Sequence, residues 1–295
     1  MKKLKAVWQL MRLEHGVMIF IAILIGALVS LGGGFPSVKN LILVFCTALF
    51  LEASTFALND YYDLEIDKRN KRLDRPLVRG DLKPKTALLI FGILFPLGII
   101  CSFFVNLTCF VIALVTAFFA VFYDTCLKKI KVVGNFYIAY TMAIPFVFGG
   151  VSVFDGFVLS FAVNPAIYVI ACIAFLAGSG REIMKDVQDY VGDSVKGVKS
   201  FPRYIGSRWS NIVAGLFFLL AVVLSFLPFF MRVFDVYFLN YYYLFLVLLC
   251  DSMLISTSFH LMFKKKPYLG FYRRFSLIAI FIGLIAFLAG VFIHT

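Results

Sequence analysis

Charged residues are scarce in this chain. Only 15% of its 295 residues are Asp, Glu, Lys or Arg, whereas 62% are hydrophobic, and the mean hydropathy is +0.96. A soluble domain is roughly one quarter charged, and a disordered chain is poor in hydrophobic residues. The scarcity of charge therefore argues against an ordinary soluble enzyme and excludes intrinsic disorder.

Cysteine spacings typical of metal or redox sites are also lacking. No CxxC pair occurs, and every cysteine falls inside an apolar run. Such cysteines are typical of small buried hydrophobic side chains rather than of disulfides or metal ligands. The six are Cys46, Cys101, Cys109, Cys126, Cys172 and Cys250.

Long apolar runs are what the chain has in abundance. A membrane-spanning helix needs about 20 apolar residues, and an uncharged run of that length satisfies its backbone groups in lipid only as a helix. The expected fold class is therefore all-α: a polytopic membrane protein of about nine transmembrane helices, forming a single domain over 1–295. The predicted spans are 16–35, 38–58, 86–105, 107–123, 132–153, 163–179, 211–231, 236–259 and 275–293.

Basic residues are distributed unevenly between the two sides of this arrangement. With nine spans, the N-terminus and every second loop share one side, which holds all 28 Lys and Arg except Lys39 and Arg232. Basic loops usually stay in the cytoplasm. We therefore expect a multi-pass protein of the cell membrane with a cytoplasmic N-terminus. The basic excess indicates a membrane face and no nucleic-acid partner.

Most acidic residues form two clusters, in the cytoplasmic loops 59–85 and 181–208. Within each cluster, oxygen-bearing side chains recur at helical spacing, so they line one face if the preceding helix continues. The matching layout predicts two pseudo-repeated four-helix halves around a central cavity, plus a ninth helix. The first face holds Asn59, Asp63 and Asp67, and the second holds Asp186, Asp189 and Asp193.

Stacked carboxylates need positive charge nearby, because each like-charge pair costs roughly 3 kcal/mol at an effective dielectric of about 20. One interpretation is a solvated network of ion pairs. The other is a metal site, and hard oxygen ligands without His or Cys suit Mg²⁺ held together with substrate phosphates. The repeated spacing favours Mg²⁺ and an active site at the cytoplasmic face, where Lys and Arg help to clamp a diphosphate.

A diphosphate at the mouth of an apolar bundle predicts a substrate with a long apolar tail. Loss of Mg²⁺-bound diphosphate from an allylic carbon leaves a carbocation, which aromatic faces stabilise by roughly 2 kcal/mol when desolvated. Tyrosines flank both clusters at Tyr61, Tyr62, Tyr123 and Tyr190. The residues thus predict chemistry on a prenyl diphosphate.

At these residues the chain resembles the UbiA-type intramembrane prenyltransferases. The motifs are Asn59-Asp60-x-x-Asp63-x-x-x-Asp67, then Tyr123 with Lys128, then Lys185-Asp186-x-x-Asp189-x-x-x-Asp193. The resemblance covers nearly the whole chain and implies Mg²⁺-dependent prenyl transfer. It implies catalytic roles for Asp63, Asp67, Asp189, Asp193 and Tyr123, Mg²⁺ ligands at Asn59, Asp63, Asp67, Asp186, Asp189 and Asp193, and diphosphate contacts from Arg72, Lys128 and Lys185. Asp60 is expected to support these ligands.

The acceptor is specified less well. The stretches 65–68 and 181–187 resemble family members of archaeal ether-lipid synthesis, which implies transfer of a geranylgeranyl group to the glycerol hydroxyl of geranylgeranylglyceryl phosphate. An aromatic or quinone-precursor acceptor is the alternative. Arg12 is a candidate for the acceptor phosphate, and the three acids within the spans, Glu52, Asp124 and Asp251, are candidates for the general base. Their alternatives are membrane anchoring and helix–helix hydrogen bonding. No obligate protein partner is expected.

Two rival functions fit the sequence less well. A CDP-alcohol phosphotransferase carries its acids in one block with Asp-Gly-x-x-Ala-Arg, and this chain lacks that block. A lipid or ion transporter carries coupling acids near the bilayer midplane beside broken helices. Here the clusters follow the ends of the spans, which favours an enzyme.

Overall fold

The structure, a computed structural model, describes residues 2–69, 71–127, 130–157, 163–195 and 197–293, and these ranges contain helices and no strand. A π-helical turn, Tyr123–Leu127, extends the sixth helix. The α-helices are α1 (Lys2–Met11), α2 (Gly16–Ser30), α3 (Val38–Arg69), α4 (Pro76–Arg79), α5 (Pro84–Phe103), α6 (Leu107–Phe122), α7 (Lys131–Val151), α8 (Pro165–Val195), α9 (Phe201–Ser225), α10 (Leu227–Phe230), α11 (Tyr241–Phe263) and α12 (Leu269–Phe292).

Nine helical segments in the described ranges are long and apolar enough to cross a membrane. They contain α2, α3, α5, α6, α7, α8, α9, α11 and α12, and each corresponds to one of the predicted apolar runs. The all-α, nine-span prediction is therefore confirmed. The pseudo-repeat of two four-helix halves stays a prediction.

Two helices extend far beyond their predicted spans. α3 has 32 residues and α8 has 31, so each is about 45 Å long at 1.5 Å per residue, against a hydrocarbon core of about 30 Å. Both acidic clusters, which were placed in loops, therefore lie on the last turns of continuous helices. Helix formers such as Glu65 and Lys68 continue α3 after its apolar part ends.

Helix α7 lies beside both acid-bearing helices, since it contacts α3 and packs extensively along α8. It is held there by α2, which it meets at two glycines. A Cβ added at Gly26 would lie 2.0 Å from the Phe146 carbonyl oxygen, and one at Gly149 would lie 2.0 Å from the Ile23 carbonyl oxygen. Small residues permit this close approach of membrane helices, and the approach fixes α7 inside the bundle.

Candidate active site

Arginines hold the acidic end of α3. The carboxylate of Asp60, which is 2% exposed, accepts hydrogen bonds from Arg12 Nη2 at 2.9 Å and Arg75 Nη1 at 2.8 Å. Arg75 Nε also lies 3.8 Å from Asp67 Oδ2. The Arg12 guanidinium lies 4.1 Å from the centre of the Phe56 ring. Asp60 thus ties the junction of α1 and α2, and the segment after α3, to the acidic helix end.

Asn59 connects α3 to the end of α6. Its Nδ2 donates to Asp124 Oδ1 at 2.8 Å, and Asp124 is buried in the π-helical turn Tyr123–Leu127. Short π-helical turns inside longer helices are frequent at functional sites. This contact orients the first oxygen-bearing side chain of the α3 cluster.

Helix α7 supplies the partners of the acidic end of α8. Lys131 Nζ lies 2.5 Å from Asp193 Oδ2 and 3.6 Å from Asp186 Oδ1, and Asn135 Nδ2 donates to Asp186 Oδ2 at 2.7 Å. Lys131 also interacts electrostatically with Asp189. Lys131 and Asn135 are one turn apart, so both face α8. One ammonium thereby serves all three predicted ligands on α8.

Lys185 and Arg181 both contact a buried carboxylate on their own helix. Lys185 Nζ donates to Glu182 Oε2 at 3.0 Å, and Arg181 Nη1 donates to Glu182 Oε1 at 3.2 Å. Glu182 is 5% exposed. Lys185 therefore lies at the α8 cluster with its ammonium paired with Glu182, and its contact with a diphosphate stays a prediction.

Tyr123 lies between the two acidic helix ends. It interacts electrostatically with Asp63 on α3 and with Glu182 and Asp186 on α8. The ring fits because residue 134 is glycine: a Cβ at Gly134 would lie 2.8 Å from Tyr123 Cε2. Tyr123 thus lies near one predicted ligand on each helix, Asp63 on α3 and Asp186 on α8, and the two helix ends share the space around its phenol.

A row of stacked tyrosines extends from this space to an apolar groove between α7 and α8. The Tyr123 ring stacks on Tyr137 with centroids 5.0 Å apart, and Tyr137 stacks on Tyr140 at 6.5 Å. Tyr140 lines an open apolar groove of about 270 Å³ between α7 and α8, in which Cys172 is exposed. Its other lining residues are Ala143, Ile144, Val147, Ala171, Cys172 and Phe175. The polar helix ends and an apolar groove are therefore joined by stacked tyrosines.

The donor set fits Mg²⁺ bound together with a phosphate-bearing substrate. Among the described residues, no three His, Cys, Asp or Glu side chains are grouped closely enough to hold a metal ion by themselves. The donors on α3 and α8 are carboxylate and amide oxygens, and Mg²⁺ is usually held by one or two carboxylates plus substrate phosphates. Asp186 and Asp193 both pair with Lys131, so these α8 oxygens lie close enough together to contact one cation.

The remaining predicted diphosphate contacts have different surroundings. Arg72 makes a two-pronged pair with Asp74, with Nε to Oδ1 at 2.9 Å and Nη2 to Oδ2 at 2.8 Å. This pair raises the pKa of Arg72 and lowers the pKa of Asp74. Arg72 also interacts electrostatically with Asp67, so it lies near the α3 cluster. Lys128 lies outside the described residues.

Glu52 and Asp251, two of the candidate bases, differ in their contacts. Glu52 Oε1 lies 3.5 Å from His15 Nδ1, and its side chain is 26% exposed. Asp251 is 3% exposed and accepts from Ser225 Oγ at 2.7 Å. That bond joins α11 to α9, which is the helix–helix contact considered as its alternative role.

Three site residues were not assigned a role from the sequence: Arg75, Lys131 and Asn135. A usable signal existed for Lys131 and Asn135, since their four-residue spacing at the start of an apolar run places both on one helix face. Arg75 carried no comparable signal, because its contact with Asp60 depends on how the segment after α3 folds back.

Comparisons with known proteins agree with this geometry. Residues 19–269 match the UbiA prenyltransferase family. Digeranylgeranylglyceryl phosphate synthase of Archaeoglobus fulgidus is 39% identical over 290 residues, covering 98% of this chain and 96% of the relative. The match therefore extends over both acidic helix ends and nearly all the described helices.

Solved structures show the same fold. One, from work on digeranylgeranylglyceryl phosphate synthase in membranes, has a TM-score of 0.80 and 32% identity, and covers 99% of each chain. A UbiA homolog from Archaeoglobus fulgidus bound to DMAPP and Mg²⁺ has a TM-score of 0.62 and 18% identity, covering 97% and 98%. This chain is thus a multi-pass membrane protein, and it belongs to the UbiA prenyltransferase family.

Proposed function

We propose that this protein transfers a geranylgeranyl group from geranylgeranyl diphosphate to the glycerol hydroxyl of geranylgeranylglyceryl phosphate. The observation that carries the proposal is the shared space around Tyr123, which joins the acidic ends of α3 and α8 to an apolar groove. The relative with 39% identity over nearly the full length carries the corresponding name. The whole chain acts as one transmembrane domain.

The acidic helix ends bind the diphosphate head. Asn59, Asp63 and Asp67 approach it from α3, and Asp186, Asp189 and Asp193 approach it from α8. Mg²⁺ supplies charge neutralisation of the departing diphosphate, as the solved homolog with bound DMAPP and Mg²⁺ suggests. The pairing of the α8 carboxylates with Lys131 supports this role, because these oxygens are already arranged to receive a cation.

Basic residues and Tyr123 contact the phosphate oxygens. Lys131 and Lys185 lie at the α8 cluster and Arg72 lies near the α3 cluster. Charge-assisted hydrogen bonds from such groups stabilise a phosphate oxygen more than neutral donors do. The Tyr123 hydroxyl donates to the leaving oxygen, where negative charge develops as the carbon–oxygen bond breaks.

The aromatic path protects the allylic carbon. The stacked faces of Tyr123, Tyr137 and Tyr140 stabilise positive charge and offer no competing water. The apolar groove that follows Tyr140 takes part of the prenyl tail. In the transfer, the glycerol oxygen forms a bond to the allylic carbon, the bond from that carbon to the diphosphate breaks, and the hydroxyl proton passes to a base.

Glu52 is the base that its surroundings favour. Its carboxylate is partly exposed beside His15. Glu52 precedes Asn59 by seven residues on α3, so the two lie about 20° apart on nearly the same face. The carboxylate of Asp251, by contrast, accepts the Ser225 hydroxyl. Arg12 lies on the same side of α3 and is placed to attract the acceptor phosphate. The phosphate-bearing substrates arrive from the cytoplasmic face of the cell membrane, where the basic residues lie.

The proposal is tested by a product assay in detergent with Mg²⁺. Geranylgeranyl diphosphate is offered with geranylgeranylglyceryl phosphate, with an aromatic acid, or alone. We expect diphosphate release and a doubly prenylated glyceryl phosphate with the first acceptor, and loss of both when EDTA removes Mg²⁺. If product formed with the aromatic acid but not with geranylgeranylglyceryl phosphate, the acceptor would belong to the alternative, aromatic class. Absence of diphosphate release under all conditions would contradict prenyl transfer and favour a carrier.

A further inference from the structure

A second cavity, lined mainly by polar side chains, lies between α8 and the beginning of α12, on the side of α8 opposite Asp186. Its volume is about 400 Å³. It is lined by Arg181, Gln188, Gly270, Arg273, Arg274 and Leu277. Three guanidinium groups therefore border one space, and nothing in the proposed reaction uses that space.

Helix geometry separates this cavity from the acidic cluster. Successive residues of an α-helix are about 100° apart. Arg181 and Gln188 are seven residues apart and share one face of α8, while Asp186 and Asp193 share another. The turn from Asp186 to Gln188 is about 200°. The arginine-lined cavity thus lies on the side of α8 opposite Asp186 and Asp193, whereas Lys185 and Asp189 lie about 60° and 100° from Gln188, between the two sides.

The cavity has more positive than negative charge. Arg181 is 14% exposed, and its Nη1 contacts Glu182, a carboxylate that Lys185 shares. Its Nε is buried and has no hydrogen-bond partner among the described residues. Neither Arg273 nor Arg274 has a carboxylate partner within 4.0 Å in the described part of the chain. Arg273 and Arg181 repel each other electrostatically. An anion in this cavity would relieve that repulsion.

The shape and position of the cavity favour a phosphate on a lipid. Guanidinium groups match the oxygens of a phosphate with paired hydrogen bonds. Leu277 lines the cavity and is 40% exposed, and the neighbouring Ile278 is 53% exposed, so the cavity opens onto an apolar outer surface of α12. A headgroup held by the arginines would extend its chains along this surface.

We propose that Arg181, Arg273 and Arg274 bind the phosphate headgroup of an anionic membrane lipid at a site outside the reaction cavity. The purified protein in detergent is titrated with dioctanoyl phosphatidic acid, with dioctanoyl phosphatidylcholine and with inorganic phosphate. We expect phosphatidic acid to bind at least roughly tenfold more tightly than either of the other two.

Two variants connect that binding to the cavity. The double change Arg273→Gln and Arg274→Gln should weaken phosphatidic acid binding roughly tenfold or more. A matched control, Lys265→Gln with Lys266→Gln, removes the same charge from the preceding loop and should bind like wild type. Gly270→Leu keeps all the arginines and fills the cavity, since a Cβ added at Gly270 would lie 3.9 Å from Gln188 Nε2. It should also weaken binding.

Three results would overturn the proposal. Equal weakening by the arginine and lysine pairs would show an unspecific charge effect. Equal binding of inorganic phosphate and phosphatidic acid would remove the lipid assignment. Loss of geranylgeranyl diphosphate binding in the arginine pair would place these residues in the reaction cavity, whereas unchanged binding supports a separate site.

Discussion

The acidic ends of α3 and α8 carry similar ligand sets but are held by different partners. On α3, Asp60 is buried between two guanidinium groups that come from distant segments. On α8, Asp186 and Asp193 share the ammonium of Lys131, which projects from the neighbouring α7. Both guanidinium groups donate to Asp60 Oδ1. A guanidinium is planar and rigid, whereas the ammonium is a point charge on a flexible stem.

This difference suits a permanent structural role for the arginines at Asp60 and a replaceable contact for Lys131 at the α8 acids. Exposure does not separate the two sets, since Arg12, Arg75 and Lys131 are 21%, 20% and 25% exposed. The number of cations does: two arginines bind the single carboxylate of Asp60, whereas Asp186 and Asp193 share one ammonium. We propose that Lys131 moves from the carboxylates to a phosphate oxygen when Mg²⁺ and the diphosphate bind, that Asp60 positions the end of α3, and that the α8 acids bind the diphosphate directly.

The largest expected effect comes from removing one ligand on either helix. Asp63→Ala and Asp189→Ala should each lower diphosphate release by at least about 10²-fold, because either loss leaves the negative charge of the leaving group poorly compensated. Turnover is measured on protein that elutes as a folded species from a sizing column. Glu65→Ala, which removes an exposed acid from α3, is the control. If only one of the two variants lost activity, the two helix ends would not share one diphosphate.

Asp60→Asn should mainly lower stability. It leaves Arg12 and Arg75 without their carboxylate, and removing one partner of a buried pair costs about 3 kcal/mol or more. We expect a lower Tm, measured in detergent, with the KM for geranylgeranyl diphosphate nearly unchanged. Asp81→Asn, at the exposed partner of Arg79, should leave Tm nearly unaltered. A large rise in KM without loss of Tm would make Asp60 a direct ligand.

Lys131→Gln should show the opposite pattern. Loss of one charge-assisted contact to a phosphate oxygen raises KM for geranylgeranyl diphosphate by about tenfold, while Tm changes little because Asn135 still holds Asp186. The control is Lys68→Gln, at an exposed pair on α3. An unchanged KM would show that Lys131 only neutralises the α8 acids.

The smallest effect is expected at the exposed pair of Arg72 and Asp74. The guanidinium lowers the pKa of Asp74 below its usual value of 3.8, so the pair stabilises the folded state at neutral pH. That stabilisation is lost as the pH falls below 3.8 and through the lowered pKa. Asp74→Asn should be less stable than wild type by under about 1 kcal/mol at pH 7. Stability measured from pH 7 to pH 3 should show the difference shrinking.

The sequence predicted the fold more completely than the site. Length and hydropathy are summed over each run, so nine spans were recognisable without any knowledge of their packing. The helical spacing of Asn59, Asp63 and Asp67 likewise predicted a shared face, although the run itself was taken to end in a loop. The continuation of α3 to Arg69 was not predicted, because the apolar signal stops where the helix leaves the membrane.

The partners of the acids could not be predicted in the same way. Arg12 and Asp60 are 48 residues apart, and Lys131 and Asp193 are 62 residues apart. No local pattern links such positions, since their contact depends on the order in which helices pack. Lys185 was predicted to contact the diphosphate, and in the structure it lies at the α8 cluster with its ammonium paired with Glu182 on its own helix.

The sequence alone determined that this chain crosses a membrane about nine times and carries two oxygen-rich helix faces, because hydropathy and helical spacing are properties of neighbouring residues. Only the tertiary structure decided that Tyr123 lies between those faces, that Lys131 serves the acids of α8, and that arginines from two segments enclose Asp60. These contacts depend on the close approach of whole helices, such as α2 and α7 at Gly26 and Gly149, which no single segment encodes.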